Sequence, residues 1–261
     1  MNEFSTHLEI AKTASKIAGQ ILLKMSGNAR IEQKQSHNLV TEADLKAESA
    51  IVDEIQNHFP DHKFFREEGK STGDVFEDHV WIIDPLDGTN NFAHGIPQYS
   101  VSVAYACCGV VKAGVVYDPC RDELFASRVG GDITLNDELA TVSQRPDITQ
   151  SIISTGFYYD RGDLMQRTLA TIERLFKNQV RGIRRFGSAA LDLAWVACGR
   201  FDGFFEYQLA PWDYSAGWFL VEQAGGHCFG RDGQPMSIDA GNILACNSRI
   251  SEQFLDLVRW R

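Results

Sequence analysis

What the chain lacks narrows it first. Proline is scarce, 7 in 261 residues, and hydrophobic residues make up 44%, so the chain can bury a sizeable core, which excludes an extended or disordered protein. Positive charge is short: 25 Lys and Arg stand against 35 Asp and Glu, a net charge of −10. That balance argues against a nucleic-acid backbone as the main partner, and an anion handled by so acidic a protein calls for a cation as intermediary. The six cysteines, at 107, 108, 120, 198, 228 and 246, form no CxxC pair, and no histidine stands at zinc-ligand spacing, so most are expected to be free, buried thiols. No apolar run approaches the roughly 20 residues of a membrane span, and no basic segment leads into an apolar core at the N-terminus. A soluble, cytoplasmic protein is expected. A nucleotide-cradling GxxxxGK[ST] loop and a GxSxG nucleophile elbow are both missing.

What is there alternates. Leu8, Ala11, Ala14, Ile17, Ala18, Ile21, Leu22 and Met25 recur at helical spacing until Gly27 offers a stop. NLVTEADLKAESAIVDEIQNHFP reads as a second helix, with Thr41 to cap it, Leu45, Ile51 and Ile55 as its inner stripe, and Pro60 to end it. HKFF, HVWIID, YSVSVAYACC, VKAGVVYD and ELFASRV read as strands, being rich in β-branched and aromatic residues. After SQRPDITQ come strand SIISTG, helix GDLMQRTLATIERLFK, strand VRGIRRF, helix SAALDLAWVACG, strand FDGFFEY, helix WDYSAGWFLVEQAG, strand ILACN and helix SRISEQFLDLVRW. With no internal repeat, this order predicts a layered α/β sandwich, one catalytic domain over 1–261 with two sub-halves meeting near 143–150. Trp195, Trp218 and Phe219, on helices, are expected in the core or a subunit interface, and His94 and His227 as local hydrogen-bonding groups.

WIIDPLDGTNNF, Trp81 to Phe92, ends a buried strand on two like charges, Asp84 and Asp87. Pro85 fixes φ and lacks an amide hydrogen, which favours a turn, and Gly88 lets backbone approach a ligand. The turn gathers Asp84, the Leu86 carbonyl and Asp87, and two close carboxylates repel unless a proton or cation lies between them. Oxygen ligands without thiolate or imidazole select Mg²⁺ over zinc. An ordinary Asp-rich turn with its side chains in water fits the same letters. Taken singly, the other acids have equally plain explanations. Glu67 and Glu68 fit a solvated pair, Asp213 a helix N-cap, and Asp44 a capping box with Thr41.

Together, VTEAD, EEG, DPLDGTNNF and PWDYSAG, in this order and with these intervals, resemble the inositol monophosphatase family of metal-dependent phosphatases. Further similarity covers nearly the whole chain, GSAALDLAWVACGRFDGFFE included. The resemblance implies an αβαβα sandwich of the sugar-phosphatase type and two or three Mg²⁺ per subunit, held by Glu67, Asp84, the Leu86 carbonyl, Asp87 and Asp213. It implies a water activated through Thr89 and Asp44, with Glu67 counted among the catalytic groups. Substrate contacts implied are Asp87, Gly88, Thr89, Ser188, Ala189 and Glu206. Homodimerisation and lithium inhibition are also implied. The helix starts after Thr89 and after Gly187 are expected to offer amides to phosphate.

The expected activity is hydrolysis of inositol monophosphate, or a related polyol or sugar phosphate, without a phosphoenzyme. Histidinol phosphate, fructose 1,6-bisphosphate and adenosine 3′,5′-bisphosphate are alternative substrates on the same scaffold, and a non-catalytic regulatory or binding module is the alternative of another class. A haloacid dehalogenase mechanism needs its second Asp two residues on, whereas Asp84 and Asp87 are three apart. The chain departs from the family pattern at Arg66 and Gly69, beside the acidic pair, and in the GGDITLND turn. Arg66 either points to solvent or meets a second anionic group, and Lys34 is the candidate for the basic residue before VTEAD.

Overall fold

The computed structural model describes residues 4–26, 31–35 and 38–260. Gly27 lies outside the described residues, as do the side chains of Lys34 and Thr41. Helix α1 (Ser5–Met25) buries Ala11, Ala14, Ala18 and Leu22, small residues on one face that allow close packing. Strands β1 (Ile31–Gln35) and β2 (Asn38–Thr41) pair antiparallel. Asn38–Thr41 was expected inside the second helix, but its β-branched end takes the extended form. Helix α2 (Glu42–His58) therefore begins at Glu42 and turns Ala43, Asp44, Ala47, Glu48, Ile51 and Ile55 inward. Leu45, expected on the inner stripe, is 52% exposed, because the stripe follows Asp44 and Glu48 and Leu45 sits one residue round from it.

Strand β3 (Lys63–Arg66) lies parallel to β4 (Val80–Asp87), and the short helix α3 (Thr89–Ala93) follows. Strands β5 (Ser100–Cys107), β6 (Val110–Asp118), β7 (Glu123–Arg128), β8 (Thr134–Leu135) and β9 (Glu138–Leu139) complete a seven-stranded sheet in the order β3-β4-β5-β6-β7-β8-β9. Strand β10 (Ile152–Thr155), helix α4 (Asp163–Lys177), β11 (Gly182–Arg184), α5 (Ala189–Ala197), β12 (Gly203–Glu206), α6 (Pro211–Gln223), β13 (Gly226–Phe229), β14 (Ile243–Asn247) and α7 (Ser251–Val258) follow. Their sheet has the order β11-β10-β12-β14-β13, with β10 parallel to both neighbours and β14 antiparallel to both of its own.

Three apolar clusters show how the layers stack. Helices α1 and α2 cover the outer face of the first sheet through Leu22, Ile51, Trp81 and Tyr105. The α5 and α6 residues Leu193, Val196, Tyr214 and Leu220 pack between the two sheets, against Ile82 and Val116 on one side and Phe204 and Ala245 on the other. Leu175 of α4 and Phe254 of α7 cover the far face of the second sheet. The result is the αβαβα sandwich. Helix α5 is buried all round because a sheet faces it on each side. Trp195 and Phe219 are buried in this middle layer, and Trp218 packs against it.

All six cysteines are free, yet only Cys228 and Cys246 are buried; Cys108 is exposed at the β5–β6 turn, which corrects the expectation of mostly buried thiols. Among the described residues no helix is long and apolar enough to cross a membrane.

Gly19 fixes the contact of α1 with the first sheet. A Cβ there would lie 2.7 Å from the Tyr117 ring carbon Cδ1, and the Tyr117 hydroxyl is tied to Asp122 at 2.8 Å, so the ring cannot readily yield. Gly19→Val is expected to lower the urea midpoint by the equivalent of about 1–3 kcal/mol, the usual cost of overpacking. An unchanged midpoint contradicts this packing.

Candidate active site

The two aspartates of β4 owe their placement to a break in pairing. Asp84 stands opposite Ser102 and Asp87 opposite Ser100, so three steps on β4 answer two on β5. Pro85 has no amide to give the ladder, and the extra residue forms a bulge. Asp84, 1% exposed, accepts the Leu86 amide at 3.0 Å through Oδ1, which folds the turn back on itself. Gly88 follows at φ 97°, and a Cβ there would meet the Gln98 carbonyl at 3.0 Å and the Gly187 carbonyl at 3.2 Å. The Thr89 hydroxyl has one proton and two acceptors in reach, the Leu86 carbonyl at 3.1 Å and Asp44 Oδ1 at 3.4 Å. Asp44, fully buried on α2, is thus brought to the end of β4.

Glu67 leaves β3 beside β4, its amide donating to the Ile83 carbonyl at 3.3 Å. Asp213 is the third residue of α6 rather than its N-cap, and its Oδ2 accepts the Ala210 amide at 2.7 Å. Glu67, Asp84, Asp87 and Asp213 line one cavity of about 700 Å³, together with Leu86, Gly88, Thr89, Ser188, Ala189 and Glu206. Burial, then the charges of Asp213 and Glu68, raises Glu67 well above the usual carboxylate range. Burial followed by Glu67, Asp87 and Asp213 does the same to Asp84. Asp213 is pushed up to about 7 by burial and the Asp87 charge. Burial takes Asp87 to about 6 against the pull of Ser188 and nearby amides.

Among the described residues, no three or more Asp, Glu, His or Cys side chains are arranged to hold a metal ion. Asp87 Oδ2 takes the Ser188 hydroxyl at 2.6 Å and the Ala190 amide at 2.8 Å, as Asp213 Oδ2 takes the Ala210 amide and Asp84 Oδ1 the Leu86 amide. One oxygen of each is anchored to an amide, and Glu67 and Asp84 lie close enough to share a hydrogen. Such a set of hard oxygens, too close to ionise together, fits a divalent cation that keeps several waters. Ala190's bond to Asp87 also changes one expectation: the first turn of α5, read as open to phosphate, is occupied by a carboxylate of the same chain.

The rest of the acidic loop is tied down by a residue that sequence reasoning missed. Glu48 of α2, 3% exposed, accepts the Glu68 amide at 2.9 Å and the Gly69 amide at 2.7 Å. Arg66 neither points freely to solvent nor enters the cavity. It bonds the Lys70 carbonyl at 2.9 and 3.0 Å and stands 3.5 Å from Glu48. His94 and His227 bond locally, to the Asn90 carbonyl and the Ser251 hydroxyl.

Glu206, on the wall of the same cavity, closes β12, and a Cβ on Gly156 would overlap its carboxyl, so glycine leaves that carboxyl its present place. Arg185, Tyr158, Tyr159 and Asp192 line the same space, with Tyr159 held by Asn90 at 2.9 Å. Of these, Asp192 had a signal: it is the one charge in the otherwise apolar AALDLAWVA. The tyrosines had none.

Comparison with known proteins identifies the family. The family model described as the inositol monophosphatase family matches residues 3–259. A Synechocystis protein named inositol-1-monophosphatase is 39% identical over 254 residues, 97% of this chain and 88% of the relative. A putative Nus factor SuhB of Neisseria meningitidis serogroup B is 37% identical over 261 residues, 99% of this chain and 98% of the relative. The structure of an inositol monophosphatase from Anabaena (Nostoc) superposes with TM-score 0.89 at 38% identity, covering 98% of this chain and 96% of that one. Ordered acidic motifs, layered sandwich and end-to-end similarity together place this chain in the inositol monophosphatase family.

Proposed function

We propose that the protein is a Mg²⁺-dependent phosphomonoesterase that hydrolyses inositol monophosphate, or a related small polyol or sugar phosphate, to alcohol and inorganic phosphate. The observation that carries this reading is the meeting of Glu67, Asp84, Asp87 and Asp213 with the Thr89–Asp44 pair in and beside one cavity. A phosphate monoester is a dianion, and four carboxylates alone would repel it. Glu67, Asp84, the Leu86 carbonyl, Asp87 and Asp213 would hold two or three Mg²⁺, which supply charge neutralisation and water activation when bound.

The chain's own residues do the rest. Asp44, buried and 3.4 Å from the Thr89 hydroxyl, is placed to take a proton through it. Ser188 and the Ala190 amide hold Asp87 in one orientation, and Glu48 holds the backbone after Glu67. Glu206, lining the same cavity, would accept a substrate hydroxyl. We assign the site roles on this basis and read the chain as a single catalytic unit, its halves meeting near 143–150. Family likeness supports a homodimer and lithium sensitivity, and a cytoplasmic place fits the same reading. Histidinol phosphate, fructose 1,6-bisphosphate and adenosine 3′,5′-bisphosphate are the substrates to set against it. The relatives named Nus factor SuhB support a second reading, a regulatory module without turnover.

Phosphate release from a panel of these esters, with and without Mg²⁺, separates the two: Mg²⁺-dependent release supports the enzyme, and no release from any ester supports the module. Asp44→Asn is expected to cut kcat by about 100-fold or more, the scale of a lost proton acceptor. Near-normal turnover would remove Asp44 from the chemistry.

Metal-free protein gives a second check. Asp87 at about 6 and Asp213 at about 7 lie above unfolded carboxylates, so between the two ranges the folded state binds the more protons. Metal-free stability should therefore fall as pH rises from about 4 to about 7, and added Mg²⁺ should raise Tm more at the upper end than the lower. A Tm response to Mg²⁺ that is the same at both ends speaks against metal binding at these acids.

A further inference from the structure

We propose that Asp192 is a specificity residue: its carboxyl accepts a hydroxyl of the substrate's alcohol, selecting polyol phosphates over esters whose alcohol carries no other hydroxyl. This deepens the phosphomonoesterase reading and rests on it.

Helix α5 runs between two sheets, and each of its residues from Ala189 to Ala197 is buried. Eight of the nine are apolar and one is charged. A buried carboxylate is costly unless donors reach it, and the fold alone asks for nothing but a side chain that fills the space. Asp192 is 1% exposed, and its Oδ1 has no hydrogen-bond partner among the described residues. Burial, then the charges of Asp87 and Glu206, raises it well above the usual carboxylate range, with Arg185 pulling the other way. Its backbone is in order, the amide donating to the Ser188 carbonyl at 3.0 Å, so the orphan is the side chain alone.

The orphan lies on the wall of the same cavity as Glu206 and Arg185. Asp192 comes from α5 and Glu206 from the end of β12, each held by its own element. Gly156 leaves Glu206 its room, since any side chain there would overlap the Glu206 carboxylate. Two carboxyls lining one cavity each offer an acceptor oxygen to a ligand, and neighbouring hydroxyls on a polyol supply the donors. An aryl or simple alkyl alcohol supplies none and leaves the buried acceptor unpaired, the situation in which a site discriminates most strongly. The alternative is that ordered water alone satisfies Asp192.

The test compares wild type, Asp192→Ala and Asp192→Asn on inositol monophosphate and p-nitrophenyl phosphate at saturating Mg²⁺. In Asp192→Ala the ratio of kcat/KM for the inositol ester over the aryl ester is expected to fall about tenfold, through KM more than kcat, as for one lost hydrogen bond. Asp192→Asn retains a carbonyl acceptor and is expected to keep most of that ratio. An equal effect on both esters, or none, overturns the proposal and leaves the phosphatase reading standing, as does an Asn variant no better than Ala.

Free myo-inositol supplies an arm that needs no turnover. It should raise the Tm of wild type and Asp192→Asn but not of Asp192→Ala. An equal shift in all three overturns the proposal even if no ester is hydrolysed, whereas failure of the phosphatase reading shows as no Mg²⁺-dependent release by wild type. Should the Ala variant not fold, Asp192→Leu fills the same space without an acceptor and is read the same way.

Discussion

Repulsion between buried carboxylates is the constraint on which this structure turns. Glu67, Asp84, Asp87 and Asp213 come from β3's exit, β4, the bulge of β4 and the first turn of α6, and burial raises the proton affinity of each. Left to themselves, such groups hold protons they would shed in water. A fold that gathers them must spend stability to do so, and it anchors Asp84, Asp87 and Asp213 by one oxygen each to an amide. The result is a set of hard oxygens lining one cavity, suited to a hard cation and hostile to a bare phosphate.

The sandwich is the means of holding that arrangement. Helices α5 and α6 lie between the sheets, so the Asp87 contacts from Ser188 and Ala190 and the Asp213 turn are fixed by the same apolar layer that joins the two halves. From the outer layer, α2 sends Asp44 to Thr89 and Glu48 to the backbone of the acidic loop. Each acid is therefore positioned by an element whose other face is core.

Much of this was legible in the letters, for reasons that differ by residue. DPLDGT announces itself because proline breaks a ladder and glycine permits a positive φ, both local effects. The helices of the second half were legible from periodicity. The start of α2 was misread because NLVT has helical neighbours, while its β-branched residues pair with a strand that comes earlier in the chain. Leu45 is apolar, yet the inner face of α2 is set by Asp44 and Glu48, buried beside Thr89 and the Glu68 and Gly69 amides. Glu48's role was hidden since its partners lie twenty residues on, and the filling of α5's first turn by Asp87 depends on a contact across more than a hundred residues. Short-range chemistry was visible, and long-range pairing was not.

The most direct test of the account is calorimetric titration of metal-free protein with Mg²⁺ near pH 7 in buffers of different ionisation enthalpy. Cation binding at acids that hold protons must release them, so the apparent enthalpy should vary with the buffer, and the variation should shrink in Asp84→Asn. Binding with no proton release, or no binding at all, would contradict the claim that these buried carboxylates converge to hold a cation.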